Sequence, residues 1–177
     1  MIKEFARSIL AILIFSIILG IMYPLFILLV GQFAFSNQAN GSLIFDEEQN
    51  IIGSKLIGQG FSSDKYLWPR YAKNNYKGLG FGADNLALSS LAFSDRITEL
   101  KNRGVSGDLL FESASGLDPH ISVASALGQV DRIIKSRNIT KEQVELIISK
   151  NTSKYFPATA YVNVLMVNLD LDMINNE

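Results

Sequence analysis

From Ser8 to Gly31 the chain runs 24 residues without a charge, and the next charged residue after Arg7 is Asp46. Of the 22 residues in Ile9–Val30, sixteen are Leu, Ile, Val or Phe. As a helix, 24 residues reach about 36 Å at 1.5 Å per residue, enough to cross a hydrocarbon core of about 30 Å. The sixteen side chains favour insertion by about 5–10 kcal/mol, with no charge to oppose them. A cleaved signal peptide has an apolar core of only about 7–15 residues. The run therefore predicts a retained anchor, although Ala34-Phe35-Ser36 has the small-x-small pattern of a cleavage site.

Lys3 and Arg7 precede the span, and Gln32–Phe45 after it holds no Lys or Arg. This asymmetry predicts a cytoplasmic N-terminus (residues 1–7), a transmembrane helix (8–31) and an extracytoplasmic domain (36–177). In a cell with two membranes that domain is periplasmic, and the chain is a single-pass protein of the inner membrane. Pro24 lacks an amide proton and crowds the carbonyl four residues back, which belongs to Gly20. Ser16 and Gly20 lie one turn apart on one face, and small faces let helices approach closely in lipid. Two readings stay open: a kinked lone anchor, or a helix docked on another membrane protein.

The rest of the chain excludes much chemistry. It has no cysteine and one histidine, so thiolate zinc sites, iron–sulfur clusters and multi-histidine metal centres are absent. Sixteen basic against seventeen acidic residues argue against nucleic-acid binding. Gly78-x-Gly80-x-Gly82 follows a polar segment rather than a buried strand, which fits a turn better than a dinucleotide fingerprint. Ser115, Asp118 and His120 fall within six residues, closer in sequence than triad members usually lie, and no G-x-S-x-G elbow is present. His120 reads as a hydrogen-bonding residue at a helix start.

The domain reads as mixed α/β (α+β). Gln38–Ser42 is a turn, and Leu43–Phe45 with Ile51–Ile57 form a hairpin. A helix capped by Asp84 or Asn85 carries Leu86, Leu91, Ile97 and Leu100 and ends at Gly104. Leu109–Phe111 is a strand, and Ser113–His120 is a turn. Ser122–Asn138 is one helix with Ala126, Val130, Ile133 and Ile134 inward. Thr140 to Gln143 has capping-box spacing and opens a helix to about Lys150. Tyr161–Leu171 contains a strand on which Asn168, Asp170 and Asp172 would share a face, as a cation site or a solvated one. Read this way, the residues describe an anchored outer domain without a catalytic signature.

Several blocks, in order along nearly the whole chain, resemble one family: the C subunit of the Kdp-type potassium-transporting P-type ATPase. They are Gly20-Ile-Met-Tyr23-Pro24, Gln38-Ala-Asn40-Gly41-Ser-Leu43, Gly53–Gln59 with Gly58, Tyr66–Arg70, Gly82–Leu86, Ser113–Ser122 with Gly116, Leu117 and Asp118, then Gln129, Val162–Leu165 and Asn168-Leu169. Tyr71, Ala83-Asp84 and Met166 depart from the family pattern. The resemblance implies a non-catalytic accessory subunit with no cofactor bound directly. ATP and magnesium would sit on the P-type ATPase subunit and potassium on the channel-like subunit, with a small single-span subunit completing the complex. Ser16, Gly20, Tyr23 and Pro24 would face a membrane partner. The family role is that of a catalytic chaperone raising ATP affinity, with Gln129 at the position suggested to contact the nucleotide. The charge asymmetry puts Gln129 outside and ATP inside, so that effect would be indirect. The competing readings are a membrane-anchored hydrolase and a ligand-binding sensor.

Overall fold

The computed structural model describes residues 1–78, 82–154 and 160–174. The chain divides into two compact units, Met1–Ile52 and Gly53–Glu177. The first begins with α1 (Ile2–Ile17), a π-helical turn (Ile18–Met22) and α2 (Tyr23–Ala34). Together they make one apolar helix of 33 residues, Ile2–Ala34, none of it buried. The π turn lies immediately before Pro24. A wider turn relieves the clash between a proline ring and the carbonyl one turn earlier. A short α3 (Ser36–Ala39) and the hairpin strands β1 (Leu43–Phe45) and β2 (Ile51–Ser54) follow.

The second unit contains α4 (Leu91–Asn102), a 3-10 turn (Gly107–Leu110), β3 (His120–Ser122), α5 (Val123–Leu127), α6 (Val130–Arg137), α7 (Lys141–Lys150), β4 (Thr152–Lys154), β5 (Ala160–Asn163) and α8 (Val164–Ile174). The three strands form one antiparallel sheet in the order β3-β5-β4, with Ile121 opposite Val162 and Thr152 opposite the same valine. Strands of three or four residues hold few ladder bonds, so the core must do most of the stabilising. Ile121 and Val162 from the sheet meet Ala126, Val130, Ile133, Val144, Ile148, Val167 and Leu171 from the helices, with Leu67 and Leu109 from the connecting segments. Each such Val, Leu or Ile contributes about 1.5–3 kcal/mol by leaving water. The unit is thus a mixed helix and antiparallel-sheet fold.

The hairpin matches the sequence expectation except that its second strand ends at Ser54 rather than Ile57, and the α7 capping box matches it: Thr140 Oγ1 accepts from Gln143 N, and Gln143 Oε1 accepts from Thr140 N. Other elements differ. Gln38–Ser42 turns only after α3 has wound, through Gly41 and Ser42 at positive φ. Leu109-Leu110 is a 3-10 turn rather than a strand, since Gly107 (φ +66°) reverses the chain and both leucines point inward. Asp108 holds this turn to the start of α5: its carboxylate accepts from Ser122 N, Ser122 Oγ and Ser125 Oγ. The expected helix Ser122–Asn138 is two helices, broken at Gly128-Gln129. His120 opens β3, not a helix, and Ser122 is the N-cap of α5.

The first helix of the second unit begins at Leu91 with Ser90 as N-cap. Asp84 is engaged by Lys73 and Arg96, and Asn85 adopts φ +52°. Leu86 precedes the helix and Leu91 is exposed, so only Leu100 of the proposed inward face is buried. Gly104 (φ +80°) follows its end as expected. Gly78 and Gly82 take positive φ, consistent with a turn, while Gly80 lies outside the described residues. The expected strand Tyr161–Leu171 stops at Asn163 and continues as α8. Asn168 and Asp172 therefore share a helix face that Asp170 lies off, so the three do not line one face together.

Two expectations follow. Thr140→Ala lowers stability by about 1 kcal/mol through loss of the cap, read by thermal denaturation of the full chain. Burial pushes the Asp108 carboxyl up, but its serine donors outweigh this and hold it below the ordinary value of 3.8. A depressed folded value means stability that is present above the unfolded value and lost as pH falls through the folded one. Asp108→Asn should flatten the fall in melting temperature below pH 3.8 and leave the rest of the pH profile unchanged.

Candidate functional site

Ser16, Gly20, Tyr23 and Pro24 lie on the apolar helix, exposed on every side. A Cβ at Gly20 would meet nothing within 4 Å, so this glycine keeps an open surface. Where the helix ends, Asn40 and Gly41 build a corner. Asn40 exchanges hydrogen bonds with the Gln32 amide at 3.2 and 3.3 Å and donates to Ser36 O. Gly41 (φ +88°) and Ser42 (φ +49°) then turn the chain into β1. An L side chain at Gly41 would be strained in that conformation.

In the second unit, Gly58, Gly116, Leu117 and Asp118 come together although nearly sixty positions separate them in the chain. Gly58 N donates to Leu117 O at 2.7 Å. A Cβ on Gly58 would stand 2.6 Å from the Tyr76 ring and 2.9 Å from Asp118 O, so no larger residue fits. Gly116 (φ +67°) lies as close to the backbone of Gly82. Gln59 is adjacent, its amide in the space a side chain at Gly53 would need. Asp118 Oδ1 accepts from His120 N and lies 3.2 Å from His120 Nδ1, and Arg70 is 3.9 Å from Asp118 Oδ2. Burial, with the Asp118 charge adding to it, pushes the Tyr76 phenol up to about 12. Ser115 Oγ accepts from Leu117 N and takes no part with His120 in any hydrogen bond. These groups therefore fix a turn; they are not arranged as a nucleophile and its base.

Gln129 and Asn168 do the most specific work. They grip consecutive residues, Leu67 and Trp68, of the segment Tyr66–Arg70, one from the N-cap of α6 and the other from α8. Asn168 Oδ1 accepts from Leu67 N (2.7 Å) and its Nδ2 donates to Leu67 O (3.0 Å). Gln129 Oε1 accepts from Trp68 N (2.8 Å) and its Nε2 donates to Trp68 O (3.2 Å). Both carboxamides are buried. Each pairs with backbone as a neighbouring strand would. Gln129 also donates to Ser125 O and accepts from Arg132 Nη2. A carboxamide has two donors and two acceptor lone pairs, so all four positions of Gln129 are taken.

Two arginines hold the backbone carbonyls that lead into the segment. Arg132 donates to Asp64 O and Tyr66 O while its guanidinium stacks 3.7 Å over Trp68. Arg137, almost wholly buried, donates to Lys65 O, Leu171 O and Asp172 Oδ1. Tyr66 OH donates to the other oxygen of Asp172. Asp170 instead meets Lys150 and Asn151. Asn168, Asp170 and Asp172 thus serve three separate contacts rather than one cation site, and among the described residues no group of three His, Asp or Glu is gathered for a metal.

Sequence reasoning missed Arg132, Arg137 and the clamping role of Asn168. The signal for Asn168 was present: a lone amide in the apolar run Val164–Leu171 is costly to bury unless paired. It missed a second charged group as well. Arg96 lies between Asp84 (3.3 Å) and Glu112 (3.5 Å) and over the rings of Tyr71 and Phe93. Glu112 accepts from Lys73 N and Asp84 N. This cluster attaches α4, which buries only Leu100.

Comparison with known proteins places these features in a family. The model of the family described as "KdpC: K+-transporting ATPase, c chain" matches residues 5–173. A potassium-transporting ATPase KdpC subunit of Synechocystis sp. is 39% identical, over 97% of this chain and 99% of the relative. One from Clostridium perfringens is 39% identical over 99% and 100%, and a KdpC subunit 2 of Nostoc sp. is 41% identical over 99% and 98%. The match takes in the apolar helix, the Gly58–Asp118 corner and both carboxamides, and the chain belongs to the KdpC family of potassium-transporting ATPase subunits.

Proposed function

We propose that this chain is the accessory, non-catalytic subunit of an ATP-driven potassium uptake complex. It crosses the cytoplasmic membrane once, with residues 1–7 inside and residues 36–177 outside. It assembles with a channel-like potassium-binding subunit, a P-type ATPase subunit and a small single-span subunit. Potassium, ATP and magnesium are held by those partners. The observation that carries this reading is the family match over residues 5–173, joined to a single apolar helix with Lys3 and Arg7 on one side. That helix is bare on all faces, and Ser16 and Gly20 with the π turn offer a close-packing surface to a second helix. Tyr23 and Pro24 lie on the same stretch.

A direct role for Gln129 in binding ATP does not fit its surroundings. Every hydrogen-bonding position of its amide is used inside the fold. The orientation proposed here also has it across the membrane from the nucleotide. Any influence of this chain on ATP affinity is then a coupling free energy passed through the membrane subunits.

Affinity purification of the tagged full chain from mild-detergent membranes of potassium-starved cells tests the assembly. A P-type ATPase and a channel-like subunit should co-elute, with potassium-stimulated ATP hydrolysis; recovery of the chain alone overturns the reading. In the purified complex, Gln129→Leu should destabilise the outer domain by roughly 2–4 kcal/mol and red-shift Trp68 emission. Asn168→Leu should do the same from α8. ATP affinity that falls in the first variant but not in the second, at equal stability, would restore a direct nucleotide contact.

A further inference from the structure

Among the described residues, none of α4 belongs to the hydrophobic core of the second unit or to the half-buried side chains packed on it. α7, at 10 residues, buries Val144, Ile147 and Ile148, whereas α4, at 12 residues, buries Leu100 alone. Phe93 adds a stack on Phe111 with ring centroids 6.1 Å apart. Leu88, just before the helix, and Leu91, its first residue, are exposed. A helix that takes so little apolar surface out of water is held weakly by packing.

Its firm attachment is ionic. Arg96 reaches Asp84 Oδ2 at 3.3 Å and Glu112 Oε2 at 3.5 Å, and its guanidinium lies over the Tyr71 ring. The side chains of Arg96, Glu112 and Asp84 are only 12%, 5% and 13% exposed. Asp84 N donates to Glu112 Oε2, so the two carboxylates are neighbours. Among the described residues the other cation paired with them is Lys73, whose side chain is mostly in water. Without Arg96 two buried carboxylates would face each other, and a buried charge that loses its partner is strongly destabilising.

Both ends of the segment can turn. Gly104 (φ +80°) follows α4 with nothing within 4 Å of the Cβ it lacks, and Asn85 (φ +52°) precedes the helix in the left-handed region. Hinges are a few residues of this kind at element ends. Beside the last turn of α4 lies a cleft of about 250 Å³, lined among others by Trp68, Tyr71, Leu100, Arg103, Val105 and Leu109. Leu100 and Arg103 supply one wall, with the Arg103 guanidinium 5.8 Å from the Trp68 ring.

We propose that residues 85–104 form a hinged flap, latched by Arg96 between Asp84 and Glu112, which opens on a folded core and uncovers the cleft beside Trp68. The opening is local, because the core keeps all its members when the flap leaves. This device goes beyond the assembly reading and does not depend on it.

Native-state hydrogen exchange of the purified full chain in mild detergent, read peptide by peptide, tests the flap. Amides of α4 should exchange roughly a hundredfold faster than those of α7, although both are hydrogen-bonded helices. Arg96→Met removes the charge and keeps a long side chain that can still cover Tyr71. It should speed exchange in α4 by about tenfold or more and leave α6, α7 and α8 unchanged. Acrylamide quenching of Trp68, the single tryptophan, should rise with it. Exchange in α4 as slow as in α7 in the unmodified chain overturns the flap, since the helix then opens only with the whole unit. An Arg96→Met variant that speeds α4 and α7 equally overturns it too, and one that leaves α4 unchanged overturns the latch. If the variant does not fold, the comparison of α4 with α7 in the unmodified chain decides alone.

Discussion

The segment Asp64–Trp68 runs beside the core of the Gly53–Glu177 unit with no strand beside it among the described residues, and most of the architecture follows from how its backbone is satisfied. Leu67 is fully buried, so its amide and carbonyl must find partners. Asn168 and Gln129 supply them for Leu67 and Trp68, and Arg132 and Arg137 take the carbonyls of Asp64, Lys65 and Tyr66. Hydrogen bonds of this buried kind contribute little net stability when made and leave a penalty of about 1–3 kcal/mol when lost. The clamp therefore acts chiefly as a selector of one path for the segment across the core.

The same requirement accounts for two irregularities. The break between α5 and α6 places Gln129 where its side chain reaches Trp68 and still accepts from Arg132. Had Ser122–Asn138 stayed one helix, this side chain would follow the helical rotation instead. Asn163 stands at the change from β5 to α8: its side chain donates to Lys55 O and its Oδ1 accepts from Met166 N. With the strand stopped there, α8 can aim Asn168 and Asp172, four residues apart on one helix face, at neighbouring parts of the segment.

Periodicity and caps made some elements legible and left others hidden. The apolar helix, the hairpin and the Thr140 box are local signals, complete within a few residues. The α4 start was misjudged because Asp84 has the chemistry of an N-cap but is claimed by Lys73 and Arg96, partners that folding alone brings near. Val164–Leu171 reads as a strand because β-branched and aliphatic residues fit either a buried strand or a buried helix. The Gly58–Leu117 contact joins residues far apart, and only the resemblance of both stretches to family blocks marked them. Arg132 and Arg137 carry no local signal, because their role depends on carbonyls some seventy positions away.

Gln129 shows how a residue can influence a distant site without touching its ligand. Its amide is fully engaged, so removing it first frees Trp68 and only then alters any surface this unit offers. A change in ATP affinity after this substitution alone is therefore no measure of nucleotide contact; only its comparison with Asn168→Leu at equal stability separates the two. Under the topology proposed here, ATP and this unit lie on opposite sides of the membrane, and linkage makes their coupling reciprocal. If the subunit tightens ATP binding, ATP tightens the hold of the complex on the subunit by the same factor. That condition requires the membrane subunits to have two states that this chain binds unequally. An interface at the bare helix satisfies it with no ligand on this chain at all.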